Sequence, residues 1–250
     1  MKKSVLAAAM TLAMAAPLAA ADINAMSHAD RKAFGEQVRA YLLENPEVIV
    51  EAIRVLEQRQ ADAQGNNDAT LLQVNANDVY GDTHSFVGGN PDGDIVIVEF
   101  LDYNCGFCKR AHPEVTELIN SDGNIRFIVK EFPILGEQSV LASRFAISVL
   151  QNVGDDAYAR VHDELMTFRG QFSDASLRQL AVSLDMDADT VMDAMNSPEV
   201  DAVISANHAL AQRLQINGTP SFIMGDQMLR GYVPLDGMNQ IVADLRAQQG

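Results

Sequence analysis

Cysteine is scarce in this 250-residue chain: there are two, Cys105 and Cys108, three positions apart. That excludes a framework of several structural disulfides. It also removes the second cysteine pair that most structural zinc sites need. A bridge between residues so close in sequence closes a very short loop and takes little entropy from the unfolded chain. Redox chemistry is therefore a better reason for the pair than stability. Basic residues are also few, 18 Lys and Arg against 34 Asp and Glu, for a net charge of −16. Nucleic acids and anionic membrane surfaces are bound through basic patches, so nucleic acid is not expected as a partner. Beyond the N-terminus no run approaches the ~20 apolar residues of a membrane-spanning helix. Tryptophan is missing, which decides nothing.

The first residues read as an export signal. Lys2 and Lys3 give a positive start, Val5 to Leu18 an apolar stretch, and Ala19-Ala20-Ala21 small residues for cleavage before Asp22. The apolar stretch is too short for a membrane anchor. Cleavage after Ala21 removes two lysines and no acid, leaving a mature charge of −18.

Hydrophobic periodicity divides the rest into a segment at 22–63 and a domain at 64–250. Residues 27–60 read as two amphipathic helices. Ser27 with Asp30 resembles a capping box, and Asn45-Pro46-Glu47 supplies a second helix start. Their apolar faces are wide for helices that could hardly stand alone, so they are expected to dock on the main domain or on another copy of the chain. Gln60 to Thr70 reads as a linker or frayed helix end, and Leu71 to Val87 as an edge hairpin turning at Gly81-Asp82. Ile95 to Leu101 and Asn124 to Phe132 read as strands. A helical block follows from about 137 to 214, with room for four or five helices broken near Gly154, 170–173, 185–187 and 197–198. Ser221 to Met224, a turn at Gly225-Asp226 and Gln227 to Gly231 form a hairpin, and 235–248 a closing helix. The fold class is α/β with an inserted helical domain, preceded by a short helical segment.

Cys105 directly follows a strand and opens a segment of helical character that runs up to Pro113, which is expected to kink it. A sulfur at a helix N-terminus is stabilised as the thiolate, its pKa falling from ~8.5 toward the roughly 3.5–7.5 of such motifs. Cys105 is the expected nucleophile and Cys108 the resolving thiol. A metal alternative uses the same sulfurs with His112, which shares a helix face with Cys108, to hold zinc or copper. Otherwise His112 reads as a helix-surface residue near enough to tune the thiolate. Glu99, among apolar neighbours, is either solvent-facing at an edge or a buried carboxyl relaying a proton to or from Cys108. Lys130 either pairs with it or lies on the surface. Thr219-Pro220, before the strand at Ser221, reads from pattern alone as an ordinary turn.

Three motifs in order carry a resemblance: Glu99 to Arg110 around the cysteines, Lys130-Glu131-Phe132-Pro133-Ile134-Leu135-Gly136, and Asn217-Gly218-Thr219-Pro220-Ser221-Phe222. Together they resemble the DsbA-like thiol:disulfide oxidoreductases of the thioredoxin superfamily. The resemblance implies a thioredoxin fold with a helical insertion and a periplasmic location; no cofactor or resident metal is expected. It implies that Pro220 is cis and faces Cys105 and Cys108, that the Thr219 backbone holds an extended substrate peptide, and that Glu99 is the family's buried acid. It implies unfolded or misoxidised secreted proteins as substrates and a membrane redox partner that reduces or reoxidises the pair. Residues 27–60 are similar to the N-terminal segment of the suppressor-of-copper-sensitivity protein C group, which implies a dimer or trimer through these helices. Strong oxidases of the family usually carry Pro-His between the cysteines and Val before the cis proline. Gly106-Phe107 and Thr219 are closer to disulfide isomerases, so an isomerase, reductase or mild oxidase is expected ahead of a strong oxidase.

Overall fold

The structure is a computed structural model and describes residues 26–249. The export signal expected at residues 1–21 lies outside the described residues. The chain forms two compact units, one ending at Arg59 and one beginning at Gln60.

In the first unit, α1 spans His28–Glu44, and α2 starts at Glu47. Ser27 caps α1, its hydroxyl accepting from the Asp30 backbone N–H at 3.2 Å, and the Asn45 side chain donates back to the Tyr41 carbonyl at 2.9 Å. No side chain from Ser27 to Arg59 is buried. Tyr41, Leu43, Ile53 and Leu56 are all about half exposed or more.

In the second unit the linker expected at Gln60 to Thr70 is instead helix: α2 (Glu47–Val74) runs through it without a break. The Asp68 carboxylate takes a two-pronged bond from Arg230 at 2.8 and 2.9 Å, and Leu72 packs in the core. Tertiary anchoring thus overrides the weak helix preference of Gly65, Asn66 and Asn67. The hairpin expected at Leu71 to Val87 is also absent. Its first half is the end of α2 and a short helix, α3 (Ala76–Tyr80), and only β1 (Phe86–Gly89) is strand. Asp82 explains the difference: its carboxylate accepts the backbone N–H groups of His84 and Ser85, tying the segment into a turn.

β2 (Ile95–Leu101), α4 (Gly106–Asp122) and β3 (Ile125–Glu131) follow. Five helices come next: α5 (Glu137–Asn152), α6 (Asp155–Thr167), α7 (Asp174–Ser183), α8 (Ala188–Ala194) and α9 (Pro198–Arg213). The hairpin of β4 (Ser221–Met224) and β5 (Gln227–Arg230) leads into α10 (Leu235–Gln249). The sheet order is β1-β3-β2-β4-β5, with β2 and β3 parallel and the other pairs antiparallel. Because side chains alternate along a strand, Ile95, Ile97, Glu99 and Leu101 share one face of β2. That face packs with α4, α10 and α5 to α8, while Val98 and Phe100 meet Leu210 and Ala211 of α9, and Leu214 just beyond it, on the other. Helix α4 continues past Pro113 because Cys108, Ala111, Val115 and Leu118 keep one apolar stripe buried across it. It ends at Gly123, whose φ of 71° suits a left-handed cap.

Candidate functional site

Strand β2 ends at Leu101, and four residues later Cys105 occupies the N-cap of α4 with extended backbone (φ −79°, ψ 118°). The intervening loop is fixed by Asp102, whose carboxylate accepts the backbone N–H groups of Asn104 at 2.7 Å, Ile134 at 2.8 Å and Leu135 at 3.0 Å. One buried acid therefore binds the cysteine loop to the Pro133–Leu135 loop. Lys109 Nζ donates to the Phe168 carbonyl at 2.7 Å, joining α4 to the end of α6. Phe107, between the cysteines, is 60% exposed.

The Thr219–Pro220 peptide bond is cis. Antiparallel pairing of Phe100 with Ser221 brings the residues before β4 to the end of β2. The Cys105 thiol there donates to the Thr219 carbonyl at 3.2 Å. Both cysteines are free thiols; Cys105 is 6% exposed and Cys108 fully buried. The Cys105 thiol is held down at about 5, first by its hydrogen bond with Cys108, then by the Thr219 side chain and the backbone N–H groups of Cys108 and Phe107, against opposing burial. Cys108 is pushed far up by the same hydrogen bond, by burial and by Glu99. The two sulfurs are thus pushed apart, Cys105 toward the thiolate above about pH 5 and Cys108 toward the thiol, the division of labour that exchange needs.

Glu99 is buried, 2% exposed, on the face of β2 shared with α4. Its Oε1 has no hydrogen-bond partner, and burial followed by the charges of Cys105 and Glu131 pushes it up to about 8. Of the two readings of Glu99, the buried one is observed. Lys130 follows neither of its expectations. It stands in register with Phe100, whereas Glu99 is in register with Val129, so the two point to opposite faces. Lys130 is fully buried and donates to the Asp78 carbonyl at 2.8 Å and to the Asp82 carboxylate. His112 is not a surface residue either. Its Nε2 lies 3.2 Å from the Asp163 carboxylate, and its ring meets His162 edge to face at 5.1 Å. That engagement turns it toward α6. Among the described residues no three His, Cys, Asp or Glu side chains are grouped to hold a metal ion.

Sequence reasoning assigned no role to a buried polar cluster beside the site. Glu131 Oε1 accepts from Tyr103 at 2.7 Å and Tyr158 at 2.6 Å, and its Oε2 from Ser143 at 2.7 Å. The Tyr103 hydroxyl also lies 3.1 Å from His162 Nδ1. Two signals existed in the sequence. Glu131 falls in phase with Ile125, Phe127 and Val129 on the core face of β3, and Tyr103 lies two positions before Cys105.

A five-stranded sheet with a cysteine pair opening a helix, facing a cis proline at the start of an adjacent strand, defines a thioredoxin-fold protein with a dithiol site. The DSBA-like thioredoxin domain matches residues 96–243, and the chain belongs to that family. Residues 30–63 match the N-terminal domain of the copper resistance protein ScsC. A thioredoxin-like oxidoreductase from Silicibacter pomeroyi is 37% identical, with TM-score 0.64, covering 70% of this chain and 98% of its own. Proteus mirabilis ScsC in a transitional conformation is 29% identical, with TM-score 0.65, covering 90% of this chain and 99% of its own. Among curated proteins, the Na(+)/H(+) antiporter NhaA 1 of Salinispora arenicola is 25% identical over 157 residues, 62% of this chain. The chain spans about a quarter of the length of the first curated relatives it matches, 24% in each case. Among the described residues no helix is long and apolar enough to cross a membrane.

Proposed function

We propose that this protein exchanges disulfides in exported proteins in the periplasm, with Cys105 as nucleophile, Cys108 as resolving thiol, Thr219 and Pro220 presenting the substrate, and Glu99 relaying a proton. The observation that carries the reading is the Cys105 sulfur at a helix start, held near 5 and bonded to the carbonyl beside a cis proline. The Cys105 thiolate attacks one sulfur of a substrate disulfide, and the other leaves as a thiolate that takes up a proton. Cys108 then loses its proton, toward Glu99, and attacks the Cys105 sulfur. The pair closes to a disulfide and the substrate leaves with two reduced thiols. In isomerisation a substrate thiolate releases Cys105 instead, and no net electrons move.

The direction favoured is isomerase, reductase or mild oxidase. Gly106-Phe107 lacks the histidine of the strong oxidants. A Cys105 value of about 5 also lies between the ~3.5 of a strong oxidant and the ~7 of thioredoxin. A membrane partner would restore the working redox state of the pair. The half-exposed apolar side chains of α1 and early α2, with the ScsC-type match over them, support assembly into a dimer or trimer. Residues 1–21 as an export signal, 22–63 as the assembly segment and 64–250 as the catalytic domain, its helical insertion at about 137–214, complete the reading.

Insulin reduction and refolding of scrambled ribonuclease test it. Cys105→Ser should abolish turnover in both, and full activity in that variant would overturn the reading.

A further inference from the structure

The proposed mechanism uses one buried acid, yet the same face of the sheet carries a second. In the parallel pairing of β2 and β3, Glu99 stands in register with Val129 and Glu131 with Leu101. The two carboxylates are therefore diagonal neighbours on adjacent strands, on the core face. Neither is reachable by solvent, with exposures of 2% and 3%. Their surroundings differ. Glu99 has an oxygen with no partner, whereas Glu131 is met by three hydroxyl groups at 2.6–2.7 Å. A buried carboxylate with several donors keeps its charge more readily than one without. Two like charges that close in a dry core do not both ionise easily.

We infer that Glu131 is a positioning residue of the redox site, acting on the Cys105–Cys108 pair through Glu99. This rests on the exchange function proposed above. When Glu131 carries its charge, Glu99 retains its proton and leaves the proton on Cys108 undisturbed. When Glu131 is neutral, Glu99 ionises more easily and becomes the better acceptor for the Cys108 proton. Tyr103 couples the cluster to the catalytic loop, since its hydroxyl holds Glu131 and its backbone precedes Asn104 and Cys105.

The groups facing Glu131 come from every element packed on it. Tyr103 and Asp102 belong to the cysteine loop, Glu99 to β2, Ser143 to α5, and Tyr158 and His162 to α6, while Asn207 of α9 donates to its backbone carbonyl at 3.0 Å. His162 is kept neutral by burial, at about 3, so it supplies no compensating charge. Behind it His112 meets Asp163, whose side chain is 65% exposed. Burial raises Glu131 itself to about 7 against its three donors, which puts its change of charge in the working range of pH.

The test is Glu131→Gln in the full-length protein, read by carboxyl-carbon NMR of Glu99 and by the pH profile of exchange. Loss of the Glu131 charge should lower the Glu99 midpoint by at least about half a pH unit. The limb of the exchange profile that depends on Glu99 should move down with it and vanish in Glu99→Gln. A purely structural role would lower the melting temperature and leave both midpoints in place. Should Glu131→Gln fail to fold, Tyr158→Phe repeats the test. With one donor fewer, Glu131 gains its charge only at higher pH, and the Glu99 midpoint should fall by a smaller amount. Superimposable profiles in a folded variant, with wild-type exchange intact, overturn this assignment alone. A wild-type protein without exchange overturns the proposed function and this assignment with it.

Discussion

The Thr219 carbonyl accepts a hydrogen bond from the Cys105 thiol at 3.2 Å, although the two residues are 114 positions apart in the chain. Antiparallel pairing of β4 with β2 makes the contact, which only the protonated thiol can make as donor, while the Thr219 side chain supplies an interaction that favours the thiolate.

Thr219→Val keeps the shape and the carbonyl but removes the hydroxyl. The Cys105 midpoint, followed by thiolate absorbance, should rise from about 5 by roughly half to one pH unit. No change would mean that the hydroxyl does not reach the sulfur.

A thiol whose folded value is depressed has a defined pH signature. The stabilisation of the reduced protein by Cys105 is fully present above the thiol's unfolded value of ~8.5 and is lost as pH falls through about 5. The melting temperature of the reduced form, relative to the oxidised form, should therefore decline between these limits on acidification. Alkylation of Cys105 by iodoacetamide should fall off in the same way near pH 5.

Glu99 has the opposite sign. Its folded value of about 8 lies above the ordinary carboxyl range, so its contribution to stability is full below about pH 4.5 and is lost as pH rises through 8. Glu99→Gln removes the cost of a buried charge. It should stabilise the protein by on the order of 2 kcal/mol at pH 8.5 and hardly at all at pH 4.5, measured by urea unfolding. It should also slow resolution of mixed disulfides by Cys108.

Lys130 and Asp82 form a buried ion pair on the face of the sheet away from the cysteines. Lys130→Met would strand the carboxylate in the core and should cost about 3–5 kcal/mol. Where the variant is folded, turnover per molecule should stay within about twofold, because nothing in the pair touches the redox site. A specific loss of turnover without loss of stability would contradict that separation.

Paired lysines at Ile49 and Ile53, both about half exposed, should convert the proposed assembly to monomers in light-scattering mass measurements. A monomer mass already in the wild type would refute assembly through these helices.

The redox pair and the elements that carry it were legible because each has a local cause. The unbroken apolar run of β2, the turn residues that separate the five helices, and the cysteine spacing all lie within short windows of sequence. What was misread depended on distant partners. Gln60 to Thr70 looks like a linker until Arg230 is seen to bind Asp68. Asp82 looks like a hairpin turn until its carboxylate is found binding the His84 and Ser85 backbone and Lys130. Lys130 needed the strand register to show which face it occupies. The cis bond at Pro220 reached the sequence reading only through family resemblance, since Gly-Thr-Pro by itself is an ordinary turn signal.

The position of Thr219 in the chain also sets when the site is complete. A ribosome completes Cys105 and Cys108 long before it reaches residues 219 and 220, and five helices must be made in between. Until β4 pairs with β2, Cys105 lacks the Thr219 share of its depression and keeps only what Cys108 and the backbone N–H groups of Cys108 and Phe107 supply from within the motif. The full depression of the Cys105 thiol therefore needs residues more than a hundred positions further along the chain, and a molecule without its C-terminal hairpin carries only part of the site.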